Sequence, residues 1–355
     1  MLGGMIGEPR DVALPPLPEA YWTSDHRAFV PRSMTADLAE LVGYFMGDGS
    51  LHSRGLRFCV TAGDDDVVER IVDLGRRLFG LDAAVAAKTG YTEVALHSVR
   101  LTLWWEACGF AKHAPSGGHR GKGYEAHVHD AVLYSNDPAA YRAFVRGLFE
   151  ADGNVNNGYA SFSTVSERFS REIQTLLLAL GFPTTRKSDA VLPGHKGTNP
   201  IHVLRVLNAN LGARFLAEIS FISERKREAL AQTDHPQAAR YDLVPVSRET
   251  VDRLAPDNDH LRRTMLLSLA RTGLVSRRSA TALLERSADP ELAQDLGYFY
   301  DEIASAKLGE EQLTYDISVP SNVTYVANGF VSHNTIAFMM DCDTTGVEPD
   351  IALIK

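Results

Sequence analysis

The sequence predicts an α+β protein that contains a duplicated unit, and three observations lead to this prediction. Apolar residues recur at helical spacing in two segments, and each predicted helix ends at an Asp-Gly step, Asp48-Gly49 or Asp152-Gly153. The two steps lie 104 residues apart, and Phe58 and Phe162 each follow the aspartate by ten residues. Patterns of strand, helix and strand follow each step in the same order, which indicates an internal repeat.

Each copy begins with a recognisable helix start. Thr35 is suited to cap the first helix, and Asp137-Pro138 is a favourable N-cap and first-turn pair for the second. After the first helix we expect a strand, a helix and a strand at residues 56–61, 65–79 and 91–96. After the second helix we expect the same elements at residues 159–164, 167–180 and 201–207.

The pattern changes beyond residue 232. Residues 247–296 predict several short helices without strands, whereas residues 315–319 and 324–331 predict strands, the latter broken by a hairpin-type turn at Asn328-Gly329. The chain therefore divides into a proline-rich extended lead-in at 1–36, a duplicated domain at 37–232 with repeats of about 37–135 and 136–232, a helical segment at 233–296, a β-rich segment at 297–334, and a tail at 335–355.

Composition limits the classes of protein to which the chain can belong. Its 355 residues are 45% apolar and 23% charged, which is typical of globular proteins, and no apolar run is long enough for a membrane span. The N-terminus has no secretion signal and the three cysteines are scattered, so we expect a cytoplasmic protein. His113, His119, His127 and His129 lie in a Gly-rich stretch that favours an exposed loop over a metal site.

The net charge of −9 does not exclude a nucleic-acid partner, because the acidic excess lies at one end of the chain. Residues 289–355 contain 12 acidic and 2 basic residues, so the first 288 residues are nearly neutral. A basic face within the duplicated region is therefore allowed.

Asp48 and Asp152 stand where a carboxylate is unfavourable, because the C-terminal end of a helix carries partial negative charge. Small residues four apart precede each acid, Gly43 and Gly47 in one helix and Gly147 and Ala151 in the other, so each helix presents a flat strip. Two such strips can pack closely and bring the acids together, where they would share a proton or a divalent ion such as Mg²⁺. The alternative is that each Asp-Gly step merely terminates a helix.

Residues 41–49 (LVGYFMGDG) and 145–153 (VRGLFEADG) resemble the two motifs of double-motif LAGLIDADG homing endonucleases. The resemblance implies an αββαββα-like domain with pseudo-two-fold symmetry, in which Asp48 and Asp152 hold the catalytic metals, Mg²⁺ or Mn²⁺. Glu150 falls at the earlier acidic position of the motif, which Met46 fills in the first copy, and we interpret it as a helix residue that is not a required ligand.

The same resemblance implies an assisting lysine and two curved sheets that lie in the DNA major groove. Lys122 is our first candidate for the lysine, and Lys196 is its counterpart in the second repeat. Candidates for contacts with bases and phosphates are Arg54, Arg57, Arg186, Lys187 and Arg205.

The segment from Tyr315 to Thr335 is similar to the C-terminal splicing motif of inteins, elements that often contain LAGLIDADG endonucleases. The resemblance assigns cyclisation to Asn334, polarisation of its carbonyl to His333, and the receiving nucleophile to Thr335. The chain does not start with the Cys or Ser nucleophile with which inteins begin, so we expect an intein whose N-terminal splicing segment is missing. Such a chain would not splice alone and would at most cleave slowly after Asn334. Residues 339–346 resemble adenosylcobalamin-dependent ribonucleotide reductase, which implies that residues 335–355 are host sequence.

The main hypothesis is therefore a site-specific, intein-encoded endonuclease for double-stranded DNA, monomeric with an internal pseudo-dimer and with a missing intein fragment as a further partner. One alternative is a non-catalytic DNA-binding regulator on the same scaffold, and another is a degenerate intein fragment. For residues 247–296, five arginines surround Thr272-Gly273-Leu274 with a spacing like that of a helix-turn-helix, which would add DNA contacts. The alternative is a helical packing domain with a solvated arginine face.

Overall fold

The computed structural model describes residues 6–19, 27–112, 125–156, 158–189, 200–207, 209–232, 242–257, 259–302, 308, 324–327 and 330–333. The chain divides into two compact units, Ile6–Tyr241 and a unit formed by Met1–Met5 with Asp242–Lys355. None of the helices in the described ranges combines the length and apolar character that a membrane crossing requires.

The first unit begins with one helix–sheet repeat. Its elements are α1 (Ala36–Asp48), β1 (Gly49–His52), β2 (Gly55–Thr61), α2 (Asp65–Phe79), β3 (Ala84–Lys88), β4 (Tyr91–His97) and α3 (Val99–Ala107). The four strands form an antiparallel sheet in the order β1-β2-β4-β3. Thr35 caps α1, as the sequence predicts, because its side chain accepts a hydrogen bond from the Leu38 amide.

After the short α4 (Asp130–Leu133), the second repeat has the same plan. It contains α5 (Pro138–Ala151), β5 (Gly153–Asn156), β6 (Tyr159–Thr164), α6 (Glu167–Ala179), β7 (Thr184–Asp189), β8 (Ile201–Val206), α7 (Ala209–Glu218) and α8 (Glu224–Ala231). Its antiparallel sheet has the order β5-β6-β8-β7, so each sheet is built in the same way. The predicted duplication and the α+β class are confirmed.

The sequence predicts the two inner strands of each sheet and misses all four outer ones. The inner strands carry buried apolar residues such as Phe58 and Phe162, and they show a clear pattern. The outer strands β1, β3, β5 and β7 pair on one side only. Their sequences, GSLH, AVAAK, GNVN and TTRKSD, lack the apolar alternation by which a half-buried strand is recognised.

Helices α1 and α5 pack against each other at glycines, and the contact is reciprocal. A Cβ atom on Gly43 would lie 2.0 Å from the Phe144 carbonyl oxygen, and one on Gly147 would lie 2.0 Å from the Glu40 carbonyl oxygen. Residues 43 and 147, like 40 and 144, are equivalent in the two repeats, so a local two-fold axis passes between the helices. Only glycine allows the backbones to approach this closely.

A buried carboxylate joins the two repeats at the same interface. Glu40 of α1 is 1% exposed and accepts hydrogen bonds from Arg70 Nε of α2 and Arg146 Nε of α5, each at 2.6 Å. Arg146 also donates to the Ile219 carbonyl at 3.3 Å. Because charge is costly to bury unless it is paired, these two arginines are what allow Glu40 to be buried here.

The second unit contains β9 (Leu243–Val244), α9 (Arg248–Leu254), α10 (His260–Thr272), β10 (Val275–Ser276), α11 (Arg277–Ser287), α12 (Pro290–Leu296), β11 (Thr324–Ala327) and β12 (Phe330–His333). The predicted short helices are confirmed, but the prediction of no strand in 247–296 is wrong, because β10 pairs with β9. The predicted hairpin is confirmed, since β11 and β12 pair antiparallel on either side of residues 328–329. The strand predicted at 315–319 lies outside the described residues.

Candidate active site

Asp48 is the last residue of α1, and Asp152 directly follows α5. The packing of the two helices brings these ends together: a Cβ atom on Gly47 would lie 2.4 Å from Ala151 Cβ and 3.2 Å from Asp152 Cγ. Both aspartates remain exposed to solvent although the helices that position them are buried. The structure therefore places the predicted pair side by side at the junction of the repeats, accessible from outside.

The surroundings of the pair oppose ionisation. Loss of hydration and the nearby Asp152 charge raise the pKa of Asp48 to about 6, although Lys112 and Lys226 act in the opposite direction. Loss of hydration also raises the pKa of Asp152, against the same two lysines. Two adjacent carboxylates of this kind are suited to a hard divalent cation, which would remove their repulsion.

The donor set fits Mg²⁺ or Mn²⁺ held by few protein ligands. Among the described residues, no group of three His, Cys, Asp or Glu side chains could form a metal cage. Mg²⁺ is commonly bound by one or two carboxylates, with water and substrate phosphates in the other positions. Asp48 and Asp152 would supply these carboxylates and would leave the other positions to water and a substrate phosphate.

Two lysines that no sequence pattern indicates lie beside the acids. Lys112, which follows α3, donates from Nζ to the Gly47 carbonyl at 2.6 Å, and its Nζ lies 5.9 Å from the centre of the Phe45 ring. Lys226 of α8 donates to the carbonyls of Phe149, Glu150 and Gly153, at 3.1 Å and 2.8 Å for the first and last. Each lysine thus neutralises the negative end of one motif helix. Burial lowers the pKa of both.

Glu150 holds Lys226 and its segment in place. One Glu150 oxygen accepts hydrogen bonds from the Ile222 and Ser223 amides at 2.7 and 2.9 Å, and the other accepts from the Ser223 hydroxyl at 2.8 Å. Lys226 Nζ lies 3.5 Å from Glu150 Oε1. The Glu150 carboxylate is therefore occupied within the protein, which agrees with its interpretation as a residue that is not a required metal ligand.

The first repeat also contributes to the position of α8. Arg225 forms two hydrogen bonds with Asp64, at 2.9 and 2.8 Å, and the Glu224 amide donates to Asp66 at 2.6 Å. Both acids lie at the start of α2, so the element that carries Lys226 is fixed by residues of both repeats.

Three of the predicted DNA-contacting residues lie on the open faces of the sheets, opposite the helices. Residues paired across an antiparallel sheet point to the same side. Leu56 and Phe58, the neighbours of Arg57 in β2, are buried, so Arg57 points to the other side of the sheet. There it forms an ion pair with Glu93 at 3.7 Å. Lys187 and Arg205 lie on the corresponding side of the second sheet, where the Arg205 guanidinium is 5.3 Å from the centre of the Tyr159 ring.

The structure does not bring Arg186 to this face. It pairs in register with buried Leu204, so it lies on the helix side, and it approaches Glu167 of α6 at 3.5 Å. Arg54 is exposed in the turn between β1 and β2. The sequence predicts the same role for Arg186 and its neighbour Lys187, but the strand register places them on opposite sides of the sheet.

Several other predictions lie partly or wholly outside the described residues. Lys122, Lys196, Asn334 and Thr335 are outside them, and His333 ends β12. The expectation of an exposed loop is wrong for His127 and His129, which are buried with ring centres 4.2 Å apart. The ring of Phe110, a residue of the hydrophobic core, lies 5.3 Å from that of His129, so the two histidines border this core.

Comparison with known proteins agrees with this geometry. Residues 139–220, which lie within the second repeat, match the family described as LAGLIDADG-like domain. The chain is 26% identical over 340 residues to the replicative DNA helicase DnaB of Rhodothermus marinus, covering 87% of this chain and 35% of the relative. It is 31% identical over 226 residues to a DNA gyrase subunit from Mycolicibacterium flavescens, covering 58% and 38%. The chain thus spans little more than a third of the length of these relatives.

Two solved structures match part of the chain. I-DmoI in complex with DNA and Mn is 15% identical, with a TM-score of 0.38, and the match covers 52% of this chain and 96% of that one. The N-terminal LAGLIDADG domain of DUF199/WhiA is also 15% identical, with a TM-score of 0.35 and coverage of 54% and 86%.

Proposed function

We propose that this protein is an endonuclease that hydrolyses phosphodiester bonds of double-stranded DNA with a divalent cation. The observation that supports it most directly is the meeting of Asp48 and Asp152, each at the end of a motif helix and each with a raised pKa. The open faces of two equivalent sheets, with Arg57, Lys187 and Arg205, would supply the surface that contacts a duplex.

Each group has a definable task in this reaction. Asp48 and Asp152 would hold the cation, which when bound lowers the pKa of water and stabilises the leaving oxygen. Lys112 and Lys226 offset the negative helix ends, so that the site tolerates the added charge of a phosphate. Arg57, Lys187 and Arg205 contact the duplex and orient it, since phosphate and base-edge contacts together fix its register.

The decisive experiment incubates the full chain with Mg²⁺ and DNA that carries the uninterrupted host-gene junction. Asp48→Asn and Asp152→Asn should each lower the cleavage rate by more than about a hundredfold, since even residues behind metal ligands cost 10- to 100-fold. Asp82→Asn is the matched control, because Asp82 is an exposed carboxylate at the end of the loop after α2. Cleavage that persists in both site variants would defeat the assignment. Binding without cleavage by the wild-type chain would favour the non-catalytic regulator.

We further propose that the endonuclease belongs to an intein. Two relatives named for different enzymes, a helicase and a gyrase, share with this chain a segment that is a little over a third of their length. An element inserted in unrelated hosts accounts for that pattern, and residues 315–335 then form its C-terminal splicing region. The resemblance of residues 339–346 assigns a vitamin B12-dependent ribonucleotide reductase as the host. Intact-mass measurement after long incubation should detect no ligated flanking sequences and at most slow cleavage after Asn334, which Asn334→Ala should abolish.

A further inference from the structure

The helical part of the second unit carries an unusual run of charge. Residues 260–284 contain five arginines and no acidic residue, in a chain whose net charge is −9. The run covers α10, the connection after it and the first part of α11. Its local charge is therefore opposite to that of the whole chain.

The structure separates these arginines into two groups. Arg262 is used internally, because it donates to the Ala255 carbonyl at 2.8 Å and pairs with Asp252. Arg277 is also used internally, because it pairs with Asp242 at 2.6 Å and donates to the carbonyls of Leu296 and Tyr298. The remaining three, Arg263, Arg271 and Arg278, are exposed, and of these Arg263 donates from Nε to the Asp259 carbonyl at 3.2 Å.

The exposed arginines follow one side of α10. Arg263, Leu267 and Arg271 are spaced four residues apart, which places them on the same helix face. Leu267 is 73% exposed, whereas Met265 on the opposite side is buried in the core of the unit. A large apolar side chain is thus kept in solvent between two guanidinium groups.

The connection to the next helix has the length and the glycine that are typical of a helix-turn-helix. Four residues separate α10 from α11, and the first of them, Gly273, has φ of 72°, a left-handed conformation that ends α10. Ser276 caps α11, and exposed Arg278 and Thr281 lie in its first turn and a half. In this motif the N-terminal residues of the second helix contact base edges while the first helix crosses the backbone.

We propose that Arg263, Leu267 and Arg271 of α10, together with Arg278 of α11, form a second DNA-contacting face in the second unit, which binds the phosphates of double-stranded DNA. This inference rests on the proposed endonuclease function, because the face would bind the same double-stranded DNA that the endonuclease would cleave. Charge complementarity selects DNA over an apolar protein surface: three exposed arginines without an acid among residues 260–284 match a polyanion, and Leu267 is placed to contact a sugar or a thymine methyl group.

The test measures binding of the full chain, with Asp48→Asn to prevent cleavage, to a duplex of about 40 base pairs of arbitrary sequence, since phosphate contacts are independent of sequence. Fluorescence anisotropy at several salt concentrations gives both affinity and its salt dependence. The triple change Arg263→Gln, Arg271→Gln and Arg278→Gln should weaken binding about tenfold or more. It should also reduce the slope of log affinity against log salt by about one for each phosphate that is no longer neutralised.

Two matched variants make the result interpretable. Arg76→Gln, Arg168→Gln and Arg248→Gln together remove the same charge from exposed arginines elsewhere and should leave the slope nearly unchanged. Replacing the three face arginines by lysine should retain most of the slope, since phosphate contacts depend on charge. This inference is overturned if the triple change at Arg263, Arg271 and Arg278 leaves the slope unchanged, or if the control variant loses as much affinity and slope. Either result would leave the proposed nuclease standing. Absence of any duplex binding by the Asp48→Asn chain would overturn both this inference and the proposed nuclease.

Discussion

The two motif helices, α1 and α5, pack together through equivalent residues, but the lysines at their ends have different contacts. In both, a glycine meets the partner backbone and an aspartate stands at the end. The lysine beside the second acid, however, contacts three carbonyls and Glu150, whereas Lys112 donates to one carbonyl. Met46 occupies the position in α1 that Glu150 occupies in α5. Duplication has thus kept the interface and the acids, while the elements that hold the lysines have diverged.

The largest effect is expected at the shared interface. Gly43→Ala and Gly147→Ala should each cost about 4 kcal/mol or more, or prevent folding, because the added Cβ would lie 2.0 Å from a backbone oxygen that cannot move without separating the helices. Urea unfolding of the purified variants measures this. Gly109→Asn is the control, since Gly109 has φ of 79°, which Asn tolerates, and open space around it. Markedly unequal losses at positions 43 and 147 would break the equivalence of the two helices.

An intermediate effect should distinguish the two lysines. Lys226→Ala leaves the buried Glu150 carboxylate without its cation, and we expect a loss of about 3–5 kcal/mol in the free energy of unfolding. Lys112→Ala removes one hydrogen bond to a carbonyl and should cost about 1 kcal/mol. If the two variants lose equal free energy of unfolding in metal-free protein, the difference in contacts between Lys226 and Lys112 has no energetic consequence and the prediction is wrong.

The smallest effect concerns pH. Because the pKa of Asp48 is raised to about 6 in the folded protein, the folded state binds more protons than the unfolded state between about pH 4 and 6. The stability of metal-free protein should therefore fall as pH rises through this window, by less than about 1 kcal/mol since Asp48 is exposed. Thermal melts of wild-type protein and Asp48→Asn at pH 5 and 8 measure it, and only the wild-type should lose stability from this group. Adding Mg²⁺ at pH 8 should restore wild-type stability, and removing it with a chelator should reverse the gain.

The sequence predicts the position of those site residues that belong to the repeated pattern. Asp48, Asp152 and their glycines stand at fixed spacing on predicted helices, so their meeting could be predicted from two helix faces. Lys112 and Lys226 could not, because their distance from the acids depends on where α3 and α8 pack. Lys226 lies in Glu224-Arg225-Lys226-Arg227, a run typical of an exposed surface, and only the contacts of Asp64 and Glu150 bury it. The separation of Lys187 from Arg186 likewise depends on strand register, which sequence alone did not fix.

The contacts of Glu40 make the interface between the two halves of the duplicated domain chemically unequal. Its partner across the interface, Arg146, occupies the position that Val42 occupies in the first half. If two copies of the first half associated symmetrically, each would bury a Glu40 beside valine, retaining Arg70 alone for neutralisation. The two halves are therefore unlike partners at this position, and self-association of the first half would carry an electrostatic penalty that the complete molecule avoids.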